Sequence, residues 1–415
     1  MNAVTNPRRT RSALCFRRPR AHEIWYLSIF PGSGNAGRNG ACRKATEGPP
    51  MRVLFFCADA ISGPMRIVTM LEALRSRRKL GSYSVVDRNM AADSSGSSFE
   101  VLIAHRNLSK RQYAWLRNNN LPFIYDIDDL LLSNRKDLTG RRAAEQEAIR
   151  WCLSNAQFVT SPSRRLLATL DRLTENSVSA RAIYLPNAGF SAFRPGGALK
   201  PPTLLWVSSH GHNYHEYYEA GAGLAKAAHA IGTDVFLIGH FASAVRATLP
   251  DAHHIPWIEP LQFESFLAER PFIAAAPMPV GLPKDEQEFV DCKSDIKAAQ
   301  YCSFGIAGLY SPCVAYRESE LPCKLAKSNA TLDWEDGMIQ CAEDFPAGGY
   351  ALAQDPAVVR RRIDFLAQQL LSMLQTVKEK TGRSFEFRAI ATPTVFRRVE
   401  RRLRSLRSRL FTETT

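Results

Sequence analysis

The chain has 415 residues, of which 45% are hydrophobic and 23% charged, and this composition is typical of a soluble protein with room for two domains. No apolar run approaches the roughly 20 residues that a membrane-spanning helix needs, which argues against a span. The formal net charge is +14, of which residues 1–50 carry +7 and residues 395–411 carry +6. The nearly neutral remainder argues against a broad nucleic-acid-binding face.

The nine cysteines are scattered along the chain and form no Cys-x-x-Cys pair. This pattern fits reduced, cytoplasmic thiols better than a disulfide framework or a zinc site.

Residues 1–50 are rich in Arg, Gly and Pro and show no sustained periodicity, which predicts a basic, disordered leader. The stretch from Gly32 to Gly37 has the spacing of a dinucleotide-binding turn, but no helical pattern follows it. A targeting segment is the alternative, although no apolar core with a cleavage site is evident. We expect the working start of the fold at Met51.

The first predicted domain spans residues 51–188. Apolar runs alternate with helical stretches along it, and this alternation predicts a parallel, doubly wound, Rossmann-like sheet. Gly63 follows the first run, where it either lets a ligand approach the backbone or forms an ordinary turn. The predicted strands are residues 51–57, 101–104, 122–125, 158–160 and 181–184, and the predicted helices are residues 65–78, 110–118, 142–154 and 163–173.

Two predicted strand ends in this domain carry polar side chains. His105 and Arg106 follow one strand, and Asp126, Asp128 and Asp129 follow the next. The carboxylates suggest either a divalent metal ion or the ordering of a loop and helix start. His105 is either a binding residue or a packed core histidine.

A second Rossmann-like domain is predicted over residues 203–390, after a Gly- and Pro-rich linker at 196–202. His210, His212 and His215 lie at its first strand-to-helix turn, but no carboxylate or thiol stands at a spacing that favours a metal site. The acidic stretch 280–291 is predicted as a loop that closes over a substrate, and residues 358–377 as a late packing helix.

The segment from Cys292 to Gly305 lies between two apolar runs that predict buried strands. Ser294 is expected to cap a helix and Gly305 to end it, which completes a βαβ unit. Lys293, Ser294 and Lys297 would meet at the helix N-terminus, where free N–H groups and the helix dipole favour a phosphate or diphosphate. The alternative is that the two lysines only form a solvated helix face.

Lys-Ser-Asp-Ile-Lys, followed by a small-residue helix, Gly and a strand, resembles the nucleotide-sugar segment of retaining, B-type-fold glycosyltransferases of the family 4 type. Many relatives have two glutamates in this segment, where Cys292 and Gln300 stand here. Two further stretches resemble the same family. They are Phe-Ile-Tyr-Asp-Ile-Asp-Asp at residues 123–129, and Tyr-Leu-Pro-Asn-Ala-Gly at residues 184–189, with Phe-Arg-Pro after it.

The resemblance implies two Rossmann-like domains with a cleft between them and transfer of a sugar from a nucleotide-diphosphate donor to a glycan or lipid-linked acceptor. Anomeric retention without a metal or other cofactor is implied too. A catalytically weak or inactive sugar-nucleotide-binding protein is the alternative. The implied catalytic residues are Lys297, Lys293 and His105; the implied nucleotide-sugar residues are Lys293, Ser294, Lys297, Gln300, Gly63 and His210; and the implied acceptor-side residues are Arg106, Asp126, Asp128, Asp129 and Asn187.

The tail at residues 395–411 has apolar residues at spacings of three and four with arginines between them, which predicts a basic amphipathic helix. Such a helix either lies on an anionic membrane surface or packs on the body of the protein. Together with the thiol pattern, this predicts a cytoplasmic protein that is peripheral on the inner face of the membrane, with no nucleic-acid partner.

Overall fold

The computed structural model describes residues 51–57, 62–87, 98–132, 143–189, 202–208, 214–256 and 271–387, with a few positions between 258 and 267. All of them belong to one compact unit. The predictions for the leader at 1–50 and the tail at 395–411 lie outside these residues.

Apolar runs of the first domain form one six-stranded parallel sheet in the order β2-β1-β4-β5-β6-β7. The strands of such a sheet are covered on both faces, which is why they are nearly continuous apolar runs. The strands are β1 (Arg52–Cys57), β2 (Ser82–Asp87), β4 (Val101–His105), β5 (Phe123–Asp126), β6 (Phe158–Ser161) and β7 (Ala182–Tyr184), while β3 (Ser98–Phe99) lies in a separate small ladder. The helices are a π-helical turn (Pro64–Val68), α1 (Thr69–Ser76), α2 (Lys110–Asn119), α3 (Ala143–Asn155) and α4 (Arg164–Leu173), followed by a 3-10 turn (Ser179–Arg181).

The second domain repeats this plan with a six-stranded parallel sheet in the order β10-β9-β8-β11-β12-β13. The predicted fold class, two Rossmann-like domains with parallel sheets, is therefore confirmed. The strands are β8 (Thr203–Ser208), β9 (Val235–Gly239), β10 (His253–Ile255), β11 (Phe272–Ala276), β12 (Ala307–Tyr310) and β13 (Lys324–Leu325). The helices are α5 (His215–Ile231), α6 (Ser243–Ala247), α7 (Lys284–Asp291), α8 (Ile296–Ser303), α9 (Val314–Arg317), α10 (Thr331–Gln354), α11 (Pro356–Arg360) and α12 (Ile363–Thr381).

The end of the described chain returns to the first domain, although it falls within the range 203–390. Helix α12 buries Leu370 and Leu374 in the same cluster as Val53 of β1 and Leu71 of α1. The short strand β14 (Phe385–Glu386) then pairs antiparallel with β3. No local pattern distinguishes a helix that packs on its own domain from one that crosses to the other.

The acidic stretch predicted as a closing loop contains a helix. Residues 284–291 form α7, with Pro283 at its N-cap position and Asp285 and Glu286 in its first turn. Acidic residues in a first turn complement the helix dipole, so this stretch carried a helix signal that the loop prediction did not use.

The first sheet places its switch point where polar residues were predicted. In the first sheet β1 has β2 on one side and β4 on the other, so the strand order reverses between β1 and β4. The carboxyl ends of β1 and β4 therefore border the crevice that binds ligands in such folds. Gly63 follows β1, and His105 is the last residue of β4.

Candidate active site

A buried ion pair holds the carboxyl ends of the first sheet together. The Arg66 guanidinium donates to both carboxylate oxygens of Asp126, at 3.0 Å from Nε and 2.7 Å from the terminal nitrogen Nη2. Thr160 Oγ1 donates to the same carboxylate at 2.7 Å. Asp126 is fully buried, so its carboxylate bonds to other residues of the protein and not to solvent. In the structure this residue holds neighbouring strand ends together, and the acceptor-side role predicted for Asp126 stays a prediction.

His105 lies beside this pair with no hydrogen bond to either ring nitrogen among the described residues. Its side chain is completely buried, and its Nε2 lies 3.7 Å from Asp126 Oδ2 and 3.6 Å from Asp128 Oδ1. A buried polar group without partners costs free energy and calls for an explanation. The binding role predicted for His105 stays a prediction, as does its alternative, a packed core histidine.

Arg106 organises the two acids that follow β5. It has a left-handed backbone (φ 53°), unusual for a residue with a side chain, and Tyr125 Oη donates to its carbonyl oxygen at 2.9 Å. Its guanidinium pairs with both Asp128 and Asp129. Burial alone would raise the pKa of Asp128, but Arg106, His105 and Arg66 together outweigh burial and hold that pKa well below its usual range. The carboxylates that suggested a metal site are thus ion-paired with guanidinium groups.

The N-terminus of α8 is built differently from the prediction. Asp295, not Ser294, stands at the N-cap position, and its side chain makes no capping bond. Instead both Asp295 carboxylate oxygens accept from Arg361, at 3.2 and 2.9 Å, in a buried pair. Gly305 ends the helix in a left-handed conformation (φ 68°), as predicted.

Ser294 and Lys293 are both held by the first domain. Asn187 Nδ2 donates to Ser294 Oγ at 2.8 Å, and Asn187 Oδ1 accepts from Arg66 at 2.8 Å. Lys293 Nζ donates to Asp129 Oδ1 at 2.5 Å and lies 4.2 Å from the centre of the Phe289 ring. Two predicted donor-binding groups therefore already contact protein.

Lys297 is the exception in this segment. It lies in the first turn of α8, and no hydrogen bond or ion pair to its ammonium is found in the described part of the chain. Part of the residue remains accessible, yet surrounding protein atoms desolvate the ammonium enough to lower its pKa to about 8. A partly desolvated cation without a counter-ion is suited to receive an anion.

Cys292 and Gln300, which stand at the glutamate positions of relatives, face different surroundings. Cys292 is 1% exposed and joins the apolar cluster of the first domain, with its Sγ donating to Thr169 Oγ1 at 3.5 Å. Burial raises the pKa of this thiol to about 11. The packing of Cys292 in this cluster and its contact with Thr169 link the two domains. Gln300 is 5% exposed, and its side-chain amide has no hydrogen-bond partner among the described residues.

The remaining sequence candidates are placed as follows. Gly63 is buried against β1 and β4: a Cβ atom there would lie 2.6 Å from Cys57 Sγ and 3.1 Å from His105 Nδ1. The glycine thus allows close packing beside His105. His210 lies outside the described residues.

Neither Arg66 nor Arg361 was predicted from the sequence, although each links several parts of this region. Arg361 contacts Asp295, and it donates to Tyr184 Oη at 2.8 Å. Arginines are common on helices, and their partners are far away in sequence, so residue type alone does not identify them.

One cavity between the described parts of the two domains in this region is small. A cavity of about 40 Å³ is lined by Ser163, Arg164 and Tyr184 from the first domain and by Lys293 and Ser294 from the second. Such a volume admits water rather than a sugar nucleotide. A donor that contacted Lys293 would therefore have to displace some of these interdomain contacts.

No protein-family model and no curated protein matches this sequence. Among solved structures, the chain is similar to the Anabaena protein Alr3699/HepE in complex with UDP-glucose. That comparison has a TM-score of 0.52 and 11% identity, and it covers 79% of this chain and 100% of that one. A candidate UDP-N-acetylglucosamine 2-epimerase from Listeria monocytogenes gives a TM-score of 0.50 and 12% identity, covering 82% of this chain and 100% of that one. At these identities the likeness shows the fold, which is the two-domain B-type architecture of glycosyltransferases.

Among the described residues, no helix has both the length and the apolar character needed to cross a membrane.

Proposed function

We propose that the protein is a glycosyltransferase that moves a sugar from a nucleotide-diphosphate donor to a glycan or lipid-linked acceptor. The observation that carries this proposal is Lys297, a partly desolvated ammonium without a counter-ion in the first turn of α8. An unpaired charge in such surroundings costs stability. Its presence is therefore best explained by an anionic ligand.

The chemistry proposed for this site is stabilisation of the leaving group. Transfer breaks the bond between the anomeric carbon and a diphosphate oxygen and forms a bond to an acceptor hydroxyl oxygen, which gives up its proton. Negative charge grows on the diphosphate as the first bond breaks. The Lys297 ammonium and the free N–H groups at the start of α8 would stabilise that charge more in the transition state than in the ground state. Lys293 and Ser294 would add to this stabilisation.

His105 is proposed to bind a hydroxyl of the transferred sugar. Its two unpartnered nitrogens offer one donor and one acceptor in the neutral ring. Gln300, also without a partner on its amide among the described residues, would bind a hydroxyl pair of the donor. Retention of configuration without a metal is part of the proposal and rests on the family resemblance alone.

A catalytically weak sugar-nucleotide-binding protein is the second candidate. It is favoured by Lys293 and Ser294, which bond to Asp129 and Asn187. The fold is also that of a candidate sugar-nucleotide epimerase, so an assay has to distinguish transfer, epimerisation and binding alone.

Thermal-shift screening of the purified protein against sugar nucleotides tests the proposal, because a ligand of the native state raises the melting temperature. We expect one donor to raise it and Lys297→Ala to abolish most of that shift. Incubation of this donor with lipid-linked and free glycan acceptors should then release nucleoside diphosphate and give a glycosylated product. If no sugar nucleotide binds, the proposed function is wrong; if one binds but is never turned over, the second candidate holds; and an epimerised donor would indicate an epimerase.

Contact of the tail at 395–411 with an anionic membrane stays a prediction, as does peripheral localisation on the inner face of the membrane.

A further inference from the structure

Asp129 lies between two cations that belong to different domains. It accepts from Arg106 of its own domain and, at 2.5 Å, from the Lys293 ammonium of the second domain. The side chains of Lys293 and Asp129 are 33% and 19% exposed, so solvent and a ligand can reach the pair. With Asp128, the members of this group named here are two carboxylates and two cations, whose formal charges balance.

A diphosphate that reached Lys293 would disturb this balance. Phosphate oxygens and the Asp129 carboxylate would compete for the same ammonium, and they would repel one another at short range. Lys293 also contacts the Phe289 ring at 4.2 Å, which helps to hold the ammonium in place without Asp129. Asp129 in turn keeps Arg106 as a partner.

We propose that Asp129 is a donor-site residue that limits donor affinity by holding Lys293 until a diphosphate displaces it. The inference rests on the proposed function, because it assumes that a nucleoside diphosphate binds at Lys293 and Lys297. Donor binding then breaks a contact between the domains and leaves Asp129 paired with Arg106 on the acceptor side. This assigns Asp129 a role in donor binding, beyond the acceptor-side role that the family resemblance implies.

The test is the affinity of the full chain for UDP, GDP, ADP and CDP, measured by calorimetry for the wild type and for Asp129→Asn. The amide keeps the size of the side chain but removes the charge that competes for Lys293. Partly exposed ion pairs are worth up to about 1 kcal/mol, so we expect the best-bound nucleotide to bind about two- to fivefold more tightly to the variant.

A double-mutant cycle separates competition for Lys293 from general repulsion by Asp129. If Asp129 acts by holding Lys293, then Asp129→Asn has no effect on affinity in the Lys293→Ala background. If general repulsion is the cause, the gain persists there and the proposal is overturned. Glu320→Gln is the matched control, because it breaks another interdomain pair, Arg164–Glu320 at 2.8 Å, and should leave affinity unchanged.

Each outcome is assigned in advance. Equal or weaker binding by a folded Asp129→Asn protein overturns the proposal while the proposed function stands. If no nucleoside diphosphate binds to any version of the chain, the proposed function fails and the inference with it. If Asp129→Asn lowers the melting temperature, Asp129→Ser is measured in the same cycle, and equal or weaker binding by a folded Ser variant also counts against the proposal.

Discussion

Lys293 and Lys297 are equivalent in the sequence pattern but not in the structure. Lys293 precedes α8 and pairs with Asp129, whereas Lys297 lies in the first turn of the helix and has no partner among the described residues. The difference arises because the first domain presents a carboxylate at only one of the two positions. The sharper test of a phosphate-binding site is therefore Lys297.

Replacing Lys297 by Ala should lower donor affinity and turnover about ten- to a hundredfold, because it removes a charge-assisted contact worth roughly 1.5–3 kcal/mol. Lys297→Arg should recover only part of the loss, since a guanidinium does not replace a compact ammonium. Calorimetry and a transfer assay measure both effects. Lys226→Ala is the matched control: it removes a lysine of the same domain that pairs with Glu335 at 3.6 Å. Unchanged affinity in folded Lys297→Ala would exclude the diphosphate site.

Lys297→Met should stabilise the unliganded protein, because an apolar side chain replaces a cation that burial disfavours. The folded pKa of about 8 lies below the ordinary value of 10.5, so the unfolded chain holds the proton more tightly between these values. The gain in unfolding free energy should be about 1–3 kcal/mol at pH 7 and should shrink as pH rises from 8 to 10.5. Urea denaturation of both proteins at several pH values measures it. A gain that does not depend on pH would show that the ammonium is not the cause.

Among the elements, the start of the helix that follows β1 is tightly packed at Gly63. Gly63 has ordinary helical backbone angles (φ −59°), which any residue can adopt. The position favours glycine because the surrounding atoms leave little room for a side chain. Phe55, Cys57 and His105 lie against this glycine. Gly63 therefore leaves room for the His105 ring at the end of β4.

Gly63→Ala should destabilise the protein by about 1–3 kcal/mol, as expected when a methyl group is forced into a packed core. The new Cβ atom would lie 2.6 Å from Cys57 Sγ, so Cys57→Ala in the same chain should restore part of the loss. Urea unfolding of the two single variants and the double variant gives the coupling free energy. Additive losses would mean that Cys57 is not the obstacle.

The two domains are joined where the chain crosses back to the first domain. Arg361, between α11 and α12, pairs with Asp295 at the start of α8 and contacts Tyr184 at the end of β7. Arg361 and Asp295 are 2% and 5% exposed. One guanidinium thus connects the crossing, the first domain and the helix that carries Lys297.

Arg361→Met should lower the unfolding free energy by about 3–5 kcal/mol, because it leaves the Asp295 carboxylate buried without its cation. Arg361→Met with Asp295→Leu should recover much of this loss, since neither charge then remains. Arg164→Gln, which breaks an exposed interdomain pair with Glu320, is the control and should cost less than about 1 kcal/mol. Denaturation curves compare all three variants, and a small loss for Arg361→Met would mean that Asp295 finds water or another donor.

The sequence by itself determined the fold class, because strands that are buried on both faces are local apolar runs and the breaks between them are local too. It also located the polar ends of β4 and β5 and the stop of α8 at Gly305. These features depend on residues that are close together along the chain.

Only the tertiary structure decided which of these polar groups pair with other residues of the protein. The partners of Asp126, Asp295 and Asp129 are Arg66, Arg361 and Lys293, at sequence separations of 60, 66 and 164 residues. No periodicity or spacing rule connects residues so far apart. Packing within the first domain brings Arg66 to Asp126, the segment between α11 and α12 brings Arg361 to Asp295, and the contact between the domains brings Lys293 to Asp129. The same packing that neutralises those three carboxylates leaves Lys297 without a partner among the described residues.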